Sequence, residues 1–239
     1  MTTNFSTEHL NCTLTGTPTA KYWVIRPAHG QEEAPEHLAE RMMEILAPGC
    51  DFCLITLHVP DWFGALSPWA ADAVIGGQTF AGRGEETLHA LRTELLPALR
   101  QRYGEEHACI LAGYSLAGLF ALWAACETED FSGAAAVSPS LWFPGWGAYA
   151  AQQRPRIGAV YLSLGVREEK SRNPVMATVG DAVRAQERLL REQNVCCTLE
   201  WNPGGHFQDP EERMAKGIAW VLNTLEKQKS AAETARQTN

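Results

Sequence analysis

The residues best suited to chemistry lie in Gly113-Tyr114-Ser115-Leu116-Ala117-Gly118, between the apolar run Ala108–Ala112 and the apolar stretch Leu116–Cys126. A serine in a sharp strand-to-helix turn is presented as a nucleophile, and the turn is tight enough to require small residues two positions before and after it. Gly113 and Ala117 meet that demand, with alanine standing where the pattern usually has a second glycine. The same turn places Ser115 at a helix N-terminus, where the backbone N–H of Leu116 and the positive end of the helix dipole can stabilise an oxyanion. The alternative is a plain N-cap serine with small neighbours that only allow close packing.

A serine nucleophile needs a base, and in sheets of this kind the members follow in the chain order serine, acid, histidine. His206, in Asn202-Pro203-Gly204-Gly205-His206-Phe207, follows the last expected strand, and its glycines permit the backbone to aim an imidazole back over the sheet. A solvent-facing loop histidine is the alternative. The acid is expected after the strand that ends at Gly165, where Glu168 and Glu169 are adjacent candidates that spacing alone does not separate. Glu168, three residues past the glycine, is preferred; a solvated charge run is the competing explanation. A second oxyanion donor is expected from the backbone of Ala28 or His29, after the first strand. Trp62, Trp69, Tyr114 and Trp142 are the expected substrate-facing aromatics, with core cover as their other reading.

The elements that must position these groups alternate between strand and helix, which implies an α/β architecture: a mostly parallel central sheet with helices on both faces. Strands are expected at Lys21–Arg26 (ended by Pro27), Asp51–Val59, Ala108–Ala112, Gly133–Val137, Ile157–Leu164 and Cys196–Trp201. Helical spacing runs through Pro35–Leu46, Glu85–Tyr103, Leu116–Cys126, Val175–Gln193 and Glu211–Leu225, with Pro97 set to kink the second. Pro60–Gly84 reads as a long irregular segment of the kind that builds sites or lids. One domain is expected over residues 1–226, followed by a polar, frayed tail over 227–239.

The chain has 239 residues and a formal net charge of -8, from 28 acidic against 20 basic side chains. Such a surface repels phosphate backbones and anionic lipid, so nucleic-acid and membrane partners are not expected. The partner expected from the Ser115 and His206 pattern is a small-molecule ester, about which net charge says little. No apolar stretch approaches membrane-spanning length, and the first residues do not read as an export signal. Seven scattered cysteines do not make a disulfide framework, and a reducing cytoplasm is the expected compartment. Cys50-x-x-Cys53 opens a strand rather than a helix and has no second pair at zinc spacing, so neither metal nor other cofactor is implied. The G-x-G-x-x-G of a dinucleotide site is missing after the first strand.

With these segments placed, the chain resembles the esterase family of α/β-hydrolases that contains ferric-enterobactin (enterochelin) esterases and esterase D. The resemblance runs from about Lys21 to Leu225. It rests on Asp61-Trp62 with Leu66-Ser67-Pro68-Trp69, on Ala112–Gly118, and on Ser138-Pro139-Ser140-Leu141-Trp142. Leu164-Gly165 with Glu168-Glu169-Lys170, Asn173-Pro174-Val175-Met176 and Gly204-Gly205-His206-Phe207 extend it. It implies an α/β-hydrolase fold and a metal-independent carboxylic-ester hydrolase using Ser115 and His206, with an acid near Glu168. Some siderophore esterases of the family resemble serine–histidine pairs with a weak third member. The sequence departs from the siderophore enzymes in lacking the amino-terminal domain of the cytoplasmic ones, the export signal of the periplasmic ones, and an obvious basic cradle for an anionic iron complex. An acyltransferase of the same fold would use every residue named so far, and a non-catalytic binding module is the reading from another class.

Overall fold

The computed structural model describes residues 2–29, 35–74 and 77–237. Its centre is an eight-stranded sheet in the order β1-β2-β4-β3-β7-β8-β9-β10. β1 (Thr2–Ser6) and β2 (Asn11–Gly16) form an antiparallel hairpin at one edge, and β2 runs antiparallel to β4 (Phe52–His58). From there on every pairing is parallel: β4 with β3 (Tyr22–Ala28), β3 with β7 (Ala108–Tyr114), then β8 (Gly133–Val137), β9 (Ala159–Gly165) and β10 (Cys196–Asn202). A two-stranded ribbon, β5 (Ala70–Ala71) with β6 (Phe80–Ala81), lies in the segment expected to be irregular, beside the short helix α2 (Trp62–Ala65).

The strands are continuous apolar runs because both faces are covered. Along β3, Tyr22 and Val24 point to the face packed by α1 (Pro35–Ile45) and α8 (Pro210–Gln237), through Leu38, Met42, Ile218 and Leu222. Trp23 and Ile25 point to the other. That second face is covered by α3 (Gly84–Ala90), α4 (Leu96–Tyr103), α5 (Leu116–Glu127), α6 (Trp146–Ala150) and α7 (Val179–Glu192). α5 is buried from Leu116 to Cys126, which accounts for its having no polar stripe.

Two prolines behave differently from expectation. Pro27 does not end β3, which continues to Ala28. The Ala28 carbonyl accepts the Val59 N–H at 3.0 Å, so residue 28 faces β4 and Pro27 faces the β7 side. The β3–β7 ladder has already finished at Ile25–Leu111, so the missing proline N–H costs no ladder bond. Pro97 is absorbed by a π turn over Leu91–Leu95, in which the Leu96 N–H reaches back to the Leu91 carbonyl. The wider turn just before the proline relieves the clash that would break an α-helix.

Parallel order sends the carboxyl ends of β7, β8, β9 and β10 to one edge of the sheet, so the loops after these strands meet there. The expected tail instead continues α8 as helix to Gln237, exposed from Lys227 to Arg236. Because that extension buries little, ending the chain after Ser230 is expected to shift Tm by less than about 2 °C in thermal denaturation.

Candidate active site

Ser115 occupies the turn between β7 and α5 with φ 58° and ψ -119°, a backbone conformation that L side chains rarely adopt. Hydrogen bonds hold it there: its N–H donates to the Val137 carbonyl at 3.0 Å, and its own carbonyl accepts from Gly118, Leu119 and Ser140 at 3.1, 3.2 and 3.1 Å. A Cβ on Gly113 would stand 2.2 Å from the Ala117 backbone. The demand for smallness therefore falls hardest on Gly113, and the fully buried Ala117 is accommodated. Leu116 opens α5, so its N–H has no acceptor within the helix and lies beside the serine.

The structure brings three of the expected residues into one chain of contacts. His206 Nε2 lies 3.0 Å from Ser115 Oγ, and His206 Nδ1 lies 2.7 Å from Glu168 Oε2. With the Nδ1 proton directed to the carboxylate, Nε2 is left to accept from the serine hydroxyl. Glu168 Oε1 accepts from the Gly165 N–H (2.7 Å), the Ser138 hydroxyl (2.8 Å) and Arg213 Nη1 (3.2 Å). Glu169 is turned away and pairs with Arg184 at 2.8 Å. The two glutamates start a short 3-10 turn, Glu168–Lys170, in which successive side chains diverge by about 120°. Only the first faces the histidine.

Burial is the largest influence on the Glu168 carboxyl and pushes its pKa up. The hydrogen bond and charge of His206, with the Gly165 N–H and the Ser138 hydroxyl, outweigh it and hold the group below its ordinary value. The Ser115 and Ser140 hydroxyls are 3.2 Å apart.

The remaining expectations are distributed unevenly. The Tyr114 hydroxyl donates to the His206 carbonyl at 2.6 Å and accepts from Arg213 at 3.2 Å, so its polar end supports the histidine loop. Trp69 Nε1 donates to the Pro144 carbonyl at 2.8 Å, and its ring packs on Phe143 and Tyr149. Trp142 is half-buried, edge-on to Phe80, two residues past the Ser140 that touches Ser115. Trp62 is half-buried and meets His29 edge-on. Ala28, paired to β4, has its N–H turned toward that strand rather than the serine; His29 is the next residue along. Among the described residues no group of three or more His, Cys, Asp or Glu could hold a metal, and no helix is long and apolar enough to cross a membrane.

Sequence reasoning missed Ser138, Ser140 and Arg213. Arg213 is 2% exposed and shares an inward stripe of α8 with Gly217 and Val221, at four-residue steps. A charged residue in register with a buried apolar stripe was the available signal.

The family described as "Putative esterase" matches residues 69–200, more than half of the chain. The chain belongs to that family. This esterase is accordingly a carboxylic-ester hydrolase with the α/β-hydrolase fold. It is similar to the IroE-like serine hydrolase from Shewanella oneidensis (TM-score 0.74, 14% identity, 93% of this chain and 79% of that one). The siderophore hydrolase EstA from Aspergillus nidulans is similar too (TM-score 0.64, 16% identity, 93% and 94% covered). So is the enterobactin esterase FES from Shigella flexneri (TM-score 0.65, 16% identity, 94% of this chain but 59% of that one). No curated protein sequence matches it.

Two stability outcomes follow from this geometry. Gly113→Ala is expected to destabilise the esterase by about 3 kcal/mol, at the upper end of overpacking costs, read by chemical denaturation. The native Glu168 pKa lies below 4.5, so its ionised form contributes stability above about pH 4.5 that is lost as the pH falls through the native value. Tm measured from pH 7 down to pH 3 should fall less steeply in Glu168→Gln than in the parent, from a lower start because buried Arg213 loses its counter-charge.

Proposed function

We propose that the esterase cleaves carboxylic esters through an acyl-enzyme on Ser115, with His206 as general base and then general acid, and Glu168 as the orienting acid. The unbroken line from Ser115 Oγ through the His206 imidazole to Glu168 Oε2 carries this reading. Nε2 takes the hydroxyl proton as Oγ attacks the ester carbonyl, and the carboxylate stabilises the imidazolium that results. The tetrahedral oxyanion falls to the Leu116 N–H at the start of α5. The His29 N–H is the second donor this reading assigns, since Ala28 is engaged with β4. Nε2 then returns the proton to the departing alcohol, and water repeats the sequence on the acyl-enzyme.

The strained Ser115 backbone favours catalysis over a purely binding role. Such strain costs on the order of 1–3 kcal/mol and persists where a function uses it. For substrate, half-buried Trp142, two residues past the Ser140 that touches Ser115, and half-buried Trp62 against His29 favour esters with an aromatic or other apolar group. One similar structure is a ferulic acid esterase, named for an ester of an aromatic acid, which supports that preference. We assign the protein to the cytoplasm on its scattered, unpaired cysteines.

A short aryl ester should be hydrolysed without added metal, and Ser115→Ala should lower kcat by at least about 10³-fold. Equal rates in the two proteins would reject the mechanism. A fluorophosphonate should label Ser115 in the folded parent; no labelling would favour a binding module. Glu168→Gln should cost about 10²–10⁴-fold in kcat. Glu169→Gln should leave it within about twofold, as expected of a half-buried charge paired with Arg184 and turned away from His206.

A further inference from the structure

The mechanism above does not use Arg213, yet this side chain touches the ends of the strands that carry Ser115, Glu168 and His206. It lies in the first turn of α8 and is 2% exposed. A guanidinium keeps its charge in a protein interior, so the fold must supply acceptors for it. Nη1 donates to Glu168 Oε1 (3.2 Å), Ser138 Oγ (3.3 Å) and the Tyr114 hydroxyl (3.2 Å). Nη2 donates to the carbonyls of Pro203 (2.7 Å) and Gly205 (3.0 Å). These acceptors come from the ends of β7 and β8, the turn after β9 and the loop after β10. Pro203 and Gly205 lie in the loop that leads into His206, whose own carbonyl is held by Tyr114.

We propose that Arg213 is a positioning residue for ester hydrolysis: it fixes the His206 loop over Ser115 and moderates, through Glu168, the charge that His206 experiences. The proposal rests on the roles given above to Ser115, His206 and Glu168. Geometry supplies the first half, because the planar guanidinium grips the loop through two carbonyls in a way an ammonium does not reproduce. Charge supplies the second. Glu168 presents one oxygen to Arg213 and the other to His206, so the carboxylate is shared between a permanent cation and a titrating one. The titratable groups facing Arg213 are Glu168 and Tyr114, with His206 beyond the carboxylate; Glu169 is occupied by Arg184 and Glu200 by Lys216. Without the cation, Glu168 keeps its bonds from Gly165, Ser138 and His206 and stays ionised, and its uncompensated charge makes the imidazole more basic.

The test is the pH dependence of kcat/KM for an aryl ester in the parent, Arg213→Met, Arg213→Lys and Ser115→Ala. Arg213→Met should lower kcat by about 100-fold, the cost of a small misplacement of a reacting group, with KM within about threefold. Its acidic limb should move up by about one pH unit. Arg213→Lys keeps the charge and loses the fork. It should lower kcat by about tenfold and leave the limb where the parent has it. An unmoved limb in Arg213→Met, whatever its kcat, would reduce Arg213 to a structural brace and overturn the proposal. Should the methionine variant fail to fold, the lysine variant decides: parental kcat there overturns it. Ser115→Ala separates the two claims, since parental activity in that variant would overturn the triad and this proposal together. Inactive Ser115→Ala with parental Arg213 variants would overturn this proposal alone.

Discussion

A single buried carboxylate governs the arrangement of this site. Taking an ionised group out of water costs several kcal/mol unless each oxygen is met by donors. Glu168 is 9% exposed, and its oxygens divide the work: Oε1 receives the Gly165 N–H, the Ser138 hydroxyl and Arg213, and Oε2 receives the histidine. That division explains the composition of the loops. A Cβ on Gly165 would lie 2.9 Å from Glu168 Oε1 and 3.0 Å from Arg213 Nη2, so only glycine admits both charges. Gly217, one turn along α8 from Arg213, leaves no room for a methyl group against Tyr161 and so lets the helix that delivers the arginine lie close on the sheet. Ser138 takes a left-handed φ of 43° at the end of β8, which puts its hydroxyl on the carboxylate.

Ser115 is held by a separate device that depends on the same sheet edge. The elbow at Ser115 is strained, and the strain is over-determined by bonds from β8 and from the turn after it: Val137 accepts its N–H, and Ser140 donates to its carbonyl. β8 therefore braces the serine through Val137 and the acid through Ser138, two consecutive residues facing opposite neighbours. The elbow and the acid are fixed to one strand, so their separation is set by backbone geometry rather than by flexible loops. The histidine spans the gap, and its loop is clamped from beneath by Tyr114 and Arg213.

What could be read from the sequence was local. Ser115 was legible because its signal, a small-residue turn between an apolar strand and an apolar helix, is contained in a dozen consecutive residues. His206 was legible from its glycines and its place after the last strand. Between Glu168 and Glu169 the spacing supported only a preference for the first, because the choice depends on the rotation of a 3-10 turn against α7, which takes Glu169 through Arg184. Arg213 escaped for a related reason. Its acceptors come from residues 114, 138, 168, 203 and 205, and it sits in a turn beginning with two glutamates that reads as an ordinary charged helix start. The β1–β2 hairpin was equally hidden: its polar alternation pairs with β4, some forty residues on, and only there do Cys12 and Leu14 find a core.

The aromatic residues show how a static arrangement limits what a site can offer. Aromatic surface already spent on protein is not available to a ligand. Trp69 is committed at its ring and its indole N–H, and the Tyr114 hydroxyl is committed beneath the histidine. Trp62 is half-buried, packs against the main core and meets His29 edge-on at a ring separation of 5.9 Å. Phe207 is 92% exposed and stands edge-on to the His206 ring at 5.1 Å. A single exposed phenylalanine is ordinary on a protein surface, and what sets this one apart is its ring contact with the imidazole. Its position next to the imidazole, exposed rather than in the core, leaves its ring as apolar surface free for a molecule that approaches His206.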